Sequence, residues 1–241
     1  MNQTMNNQPN TNRMGFYAAI ITAVLTTLTF GIAIGTPPIS GTFCQGNCLE
    51  YPFTEIISRF PRDYLWMYPA MLLTLVVVFL MVCIHYYAPA EKKVFSLTAL
   101  CFTLISSILL FADYYIQISV IQPSLLRGET EGIALLTQYN PHGIFIALEG
   151  AGYLSLAAAY LFTAFIFTGA NRLEHAIRWI LLLGFILAFG SYFLMTAIYG
   201  TNLEYRFEVT VIAIDWLVLI IFGILLSQVF KKPELEENRS Q

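Results

Sequence analysis

The chain has 241 residues, is 57% hydrophobic and only 11% charged, and has a mean hydropathy of +0.67. A soluble domain carries roughly a quarter charged residues, so this composition excludes an ordinary soluble fold and points to an integral membrane protein whose apolar surface faces the lipid bilayer. The net charge of −3 comes without a dense Lys/Arg stripe to neutralise phosphates, which excludes a nucleic-acid partner.

Residues 1–13, MNQTMNNQPNTNR, are Asn-rich and aperiodic and read as a disordered tail. The apolar run 14–36 exceeds the roughly 20 residues that cross a bilayer, which makes it a first transmembrane helix. A signal peptide is the competing reading; its apolar core is shorter, roughly 7–15 residues, although Ala33-Ile34-Gly35 is a passable cleavage pattern. Thr22, Thr26 and Thr29 share a helical face, and Gly31 and Gly35 form a GxxxG patch. Both features read as helix packing, with the hydroxyls bonded back to the helix's own carbonyls.

Residues 37–65 form the longest polar connection, broken up by Pro, Gly and Asn. The second span, 66–87, has Trp66 and Tyr68 at one end and Tyr86 and Tyr87 at the other, where aromatics suit the two interfaces. The third span covers 94–117, and its apolar character persists to Leu126, so the helix projects beyond the membrane or bends there. In the loop that follows, Gly132 to Leu136 suits a short interfacial helix, and Asn140-Pro141 reads as a helix start, Asn capping and Pro at the first position. The fourth span runs over 142–167, the fifth over 179–199 and the sixth over 207–230, and residues 231–241 form a charged tail. The fold class is therefore an all-α polytopic transmembrane bundle of six spans.

Six spans place both termini on one side. Lys and Arg number eight on that side (Arg13, Lys92, Lys93, Arg172, Arg178, Lys231, Lys232, Arg239) against four on the other (Arg59, Arg62, Arg127, Arg206). The excess favours cytoplasmic termini in a cell membrane. Cys44 and Cys48 then lie outside, where a disulfide persists. A redox-active pair is the alternative, but the usual redox spacing is C-x-x-C, and this is C-x-x-x-C. Cys83 and Cys101 read as small packing residues.

Ionisable groups inside apolar segments are costly and ask for an explanation. Asp113, Glu149 and Asp215 all fall in the outer half of the bilayer on this topology. At 1.5 Å per residue, Glu149 lies about 10 Å in from His142, and Asp215 lies about as far from Phe207. Gln117 shares a face with Asp113, Thr103 and Ser106; Tyr153 and Tyr160 share one with Glu149; Tyr192, Thr196 and Tyr199 form a stripe on the fifth span. Gly150, Ala151, Gly152, Ser155, Ala158 and Ala159 keep the fourth span slim enough to sit centrally. No Lys or Arg lies at this depth, so the acids carry protons or are neutralised by a bound cation or water, unless Arg127 or Arg206 folds down onto them. The expectation is a polar chamber in which Asp113, Glu149 and Asp215 bind a ligand with Gln117, Tyr153 and His142 as auxiliaries. The alternative is a set of internal ties that lock the bundle.

No P-loop, G-x-S-x-G, H-E-x-x-H or GxGxxG pattern is present, and His85, His142 and His175 are scattered. No cofactor, metal site or catalytic residue is expected, and an enzyme is the less favoured class. The runs DYYIQISVIQPSLLRGETEG and QYNPHGIFIALEGAGY, from Asp113 to Tyr153, resemble a family of uncharacterised prokaryotic multi-pass membrane proteins. That resemblance implies a bacterial or archaeal cell membrane and supplies no activity. The functional expectation is binding or translocation of a cation, proton or small polar or amine ligand. The alternatives are a structural or sensory membrane protein and, behind it, an intramembrane thiol-redox enzyme. Protein partners are not indicated.

Overall fold

The computed structural model describes residues 8–169 and 171–239. The fold is all-helical, 79% helix, with no strand among the described residues. Its helices are α1 (Gln8–Ile34), α2 (Met67–Tyr87), α3 (Lys93–Ile116), α4 (Gln122–Leu126), α5 (Ile133–Leu136), α6 (Ile144–Ala164), α7 (Arg172–Tyr199) and α8 (Tyr205–Arg239). Six segments are long and apolar enough to cross a membrane: α1, α2, α6, α7, α8, and α3 continued through α4.

Helix bounds differ from the sequence expectation where local chemistry was underweighted. Helix α1 is already formed at Gln8, where the described residues begin, rather than only from residue 14. The reading of residues 1–7 as a tail lies outside the described residues. Helix α8 continues past 230 to Arg239, and residues 240–241 lie outside the described residues. Helix α7 starts seven residues before position 179. There Asn171 Oδ1 accepts from the Leu173 and Glu174 N–H groups at 3.1 and 3.0 Å, and Glu174 suits the positive end of the helix. Asn140-Pro141 makes a turn rather than a helix start: Asn140 Oδ1 accepts from the His142 N–H at 2.9 Å, and α6 begins at Ile144 after Gly143.

Helix α3 neither stops at 117 nor continues regularly. A wide π-turn over Gln117–Ile121 joins it to α4. Pro123 has no N–H to donate, and in a regular helix its ring would meet the Ser119 carbonyl, so the chain widens one turn ahead of it.

The long helices form a ring in the order α1, α2, α3, α6, α8 and back to α1, each packed on the next; α7 lies outside it, against α6 and α8. Tight crossings use glycine. A Cβ on Gly152 of α6 would stand 2.7 Å from Leu110 of α3, and one on Gly223 of α8 would stand 2.7 Å from the Ala19 carbonyl of α1. Gly31, by contrast, has nothing within 4 Å of such a Cβ, so the GxxxG patch of α1 is not a packing face. Thr26 and Thr29 do bond back along α1, to the Thr22 and Leu25 carbonyls at 2.7 and 2.8 Å. Cys83 is buried in the bundle, whereas Cys101 is exposed on its outer face.

Candidate functional site

A ring of five helices leaves an axial gap that side chains must fill. At the end of the bundle away from the termini they do not fill it. A cavity of about 280 Å³ lies there between the end of α1, the start of α2, the first turns of α6 and α8, and the loop at Gln138 and Tyr139. Phe30, Trp66, Tyr139, Phe145, Tyr205 and Trp216 supply its aromatic lining, and Asp63 and Glu208 its carboxyls. The rings brace one another: Trp216 meets Phe30 at 5.5 Å and Trp66 at 6.3 Å between centroids, and Tyr114 meets Trp66 at 5.0 Å and Phe145 at 6.1 Å.

The rim is tied down by hydrogen bonds. Ser40 Oγ donates to the Tyr139 carbonyl at 2.5 Å and lies 2.7 Å from the Tyr205 hydroxyl, which also reaches the Gln138 carbonyl at 3.0 Å. Gly41 takes a positive φ of 62° beside the Tyr205 ring, a conformation that suits only glycine without strain. Tyr139 donates to Asp63 Oδ2 at 3.0 Å, and Arg62 Nε lies 2.6 Å from Asp63 Oδ1. Burial, with Tyr64 and Asp63 alongside, pushes the Tyr139 hydroxyl far above the usual phenol range, so it remains a donor. Asp63 is therefore a satisfied, paired acid. In the same loop Cys44 and Cys48 are joined, with Cα atoms 5.8 Å apart.

Glu208 differs. It is only 8% exposed, lines the cavity, and its Oε2 has no hydrogen-bond donor. Behind it the Glu149 carboxyl stands within hydrogen-bonding reach, and Glu149 Oε2 likewise has no donor. A single proton between the two carboxyls would satisfy both. Glu149 Oε1 accepts from the Tyr114 hydroxyl at 2.7 Å, and the Tyr153 hydroxyl lies 2.9 Å from that of Tyr114, to which it donates. Asp113 is near enough for its charge to act on both glutamates, and its Oδ2 has no donor.

Of the residues nominated from sequence, Asp113, Glu149 and Tyr153 thus come together. Gln117 is buried nearby as a tie: its Nε2 donates to the Leu136 carbonyl at 2.7 Å, and its Oε1 accepts from the Gln138 N–H at 3.0 Å. Asp215 stands apart, two turns below Glu208 on α8, about 10 Å at the helical rise. It is fully buried, and neither carboxyl oxygen has a donor. His142 is exposed, its Nε2 2.8 Å from Asn202 Oδ1, and does not line the cavity. The α7 stripe is not part of the site either: Thr196 and Tyr199 are exposed, and Tyr192 packs on Phe207 at 5.1 Å. Arg206 lies 3.6 Å from Glu204 and over the Tyr199 ring, and Arg127 is exposed, so neither folds onto the buried acids.

Glu208 was missed because it falls in the first turn of the last span, where an acid passes for a helix-end residue. Its signal was the seven-residue spacing to Asp215, which puts both on one face. Among the described residues no three His, Cys, Asp or Glu side chains converge as metal ligands.

Below the aromatic layer a second void of about 20 Å³, roughly the room one water needs, adjoins Tyr114, Tyr153 and Trp216. Leu73, Val77, Leu110, Leu156 and Leu219 close the axis there. The chain is thus a six-span helical bundle, with the makeup of a multi-pass membrane protein and a one-ended, aromatic-lined cavity. No protein-family model, curated protein or solved structure matches it.

Proposed function

We propose that the chain binds a small cationic or proton-bearing polar ligand in the loop-end cavity, with Glu208 as its anchor and Glu149 and Asp113 behind it. The observation that carries this reading is the Glu208 carboxyl, buried yet lining an open cavity, with no Lys or Arg among the described residues paired to it. A buried acceptor without a donor costs about 1–3 kcal/mol, and more when charged, which a bound donor would offset. With the termini cytoplasmic, as the Lys/Arg bias favours, the cavity faces outward in a cell membrane. Translocation would need a path through the leucine layer, so the conformation described is one that binds from one side.

A second reading is favoured by the Tyr153, Tyr114 and Glu149 chain, which by itself looks like an internal lock. In that case the acids stabilise a structural or sensory protein. Purified protein in lipid nanodiscs separates the two. Glu208→Gln should abolish saturable cation binding and shift the melting temperature little under the first reading. Under the second it should lower the melting temperature, with no cation binding in either form.

A further inference from the structure

Resting on that reading, we infer that the cavity takes an organic amine in its protonated form, with at least one N–H and an apolar body, rather than an inorganic cation. The lining argues first. Six aromatic side chains surround the space, and an ammonium is attracted to ring faces within about 6 Å of the centroid. A hydrated metal ion gains little there and has few oxygens to replace its water. Calcium, for example, takes about 6–8 oxygen ligands. The Gln138 and Tyr139 carbonyls at the rim are already engaged by Tyr205 and Ser40, and Asp63 by Tyr139 and Arg62.

The charge count argues next. Asp63 has its cation in Arg62, whereas no Lys or Arg among the described residues approaches Glu208. With one proton shared between Glu208 and Glu149, the pair keeps one negative charge for one positive ligand. The Glu208 carboxyl lining the cavity asks for a hydrogen-bond donor, which a protonated amine carries and a quaternary ammonium does not.

Size and access argue last. About 280 Å³ lies near the lower end of small-molecule sites, which suits a ligand of one ring or a short chain. The cavity is bordered by exposed Ile34 and Val209, at the end of α1 and the start of α8. That is the level of the membrane interface, where an amphiphilic cation concentrates.

The test uses full-length protein in nanodiscs, with the fluorescence of Trp66 and Trp216 as readout, and four probes: phenethylammonium, phenethyltrimethylammonium, phenethyl alcohol and calcium or sodium chloride. Phenethylammonium should saturate the signal. The trimethyl analogue and the alcohol should each bind about tenfold or more weaker, as should phenethylammonium on Glu208→Gln. The inorganic salts should compete no better than an ionic-strength control. Ala213→Phe, which narrows the cavity without touching an acid, should weaken the amine also if Glu208→Gln proves unstable. Equal binding of alcohol and amine, or of amine and trimethyl analogue, would overturn the class. Saturable binding of calcium or sodium without amine binding would overturn it too and leave the cation site standing. Binding of no cation at all would end both.

Discussion

Helices α6 and α7 are neighbours, both apolar enough to span a membrane, and both carry polar side chains at helical spacing. Yet 61% of the spanning stretch of α6 is buried against 17% for α7. Glu149, Tyr153 and Tyr160 of α6 point into the bundle and are buried, while Thr196 and Tyr199 of α7 are exposed. A polar stripe therefore does not by itself say which way a membrane helix faces. The small residues Gly150, Gly152, Ala157, Ala158 and Ala159 make the difference, because they let α6 approach α3 and α8 closely enough to enter the ring. Helix α7 has one such close approach, Gly184 against Val218 of α8.

The largest effect should come from spoiling that approach. Gly152→Leu puts a branched side chain where a Cβ alone would sit 2.7 Å from Leu110. A loss of about 3 kcal/mol is expected, at the upper end of overpacking costs, and thermal unfolding in detergent measures it. Thr196→Leu on α7 should stay within about 0.5 kcal/mol of the parent. Similar losses at both sites would erase the contrast between the helices.

The next effect concerns what α6 carries inward. Glu149→Ala removes the acceptor of the Tyr114 hydroxyl and should cost about 1–3 kcal/mol, as an orphaned buried donor does. Glu149→Gln keeps an acceptor and should recover most of that stability while weakening phenethylammonium binding, since the charge behind Glu208 is gone. Recovery of both stability and affinity would make Glu149 a plain structural tie. Tyr153→Phe deletes one hydroxyl from the same chain and should cost about 1 kcal/mol, against no measurable change for Tyr199→Phe.

Much of this was legible beforehand, for reasons visible in particular residues. The six spans follow from uninterrupted apolar runs, and the close packing of α6 within the ring from its small residues. Helical rise and chain direction put Asp113 and Glu149 at one level, and the two acids do lie near each other. The count depends on where each helix begins. Asp215 was set at the same level by counting from Phe207, but α8 begins at Tyr205 and Asp215 sits two turns beneath Glu208, without a partner among the other acids. Glu208 lay just inside the span and was passed over. The rim could not be foreseen at all, since Ser40, Tyr139 and Tyr205 are brought together by three separate connections. The wide turn at Gln117 had a sequence cause in Pro123, yet its consequence, a glutamine turned to hold the 136–138 loop, depends on where that loop falls.

The smallest effect should be at His142, which sequence spacing placed above Glu149 as an auxiliary ligand. The imidazole is exposed and linked at 2.8 Å to Asn202, so it ties the turn before α6 to the α7–α8 connection rather than facing the cavity. Exposed hydrogen bonds exchange readily with water, so His142→Ala should move stability by about 0.5 kcal/mol or less. Phenethylammonium affinity should be unchanged. A strong loss of affinity in this variant, with Glu208→Gln silent, would move the ligand out of the aromatic cavity and onto the rim. The inward-facing carboxyls of α6 and α8 would then be left with the structural role alone.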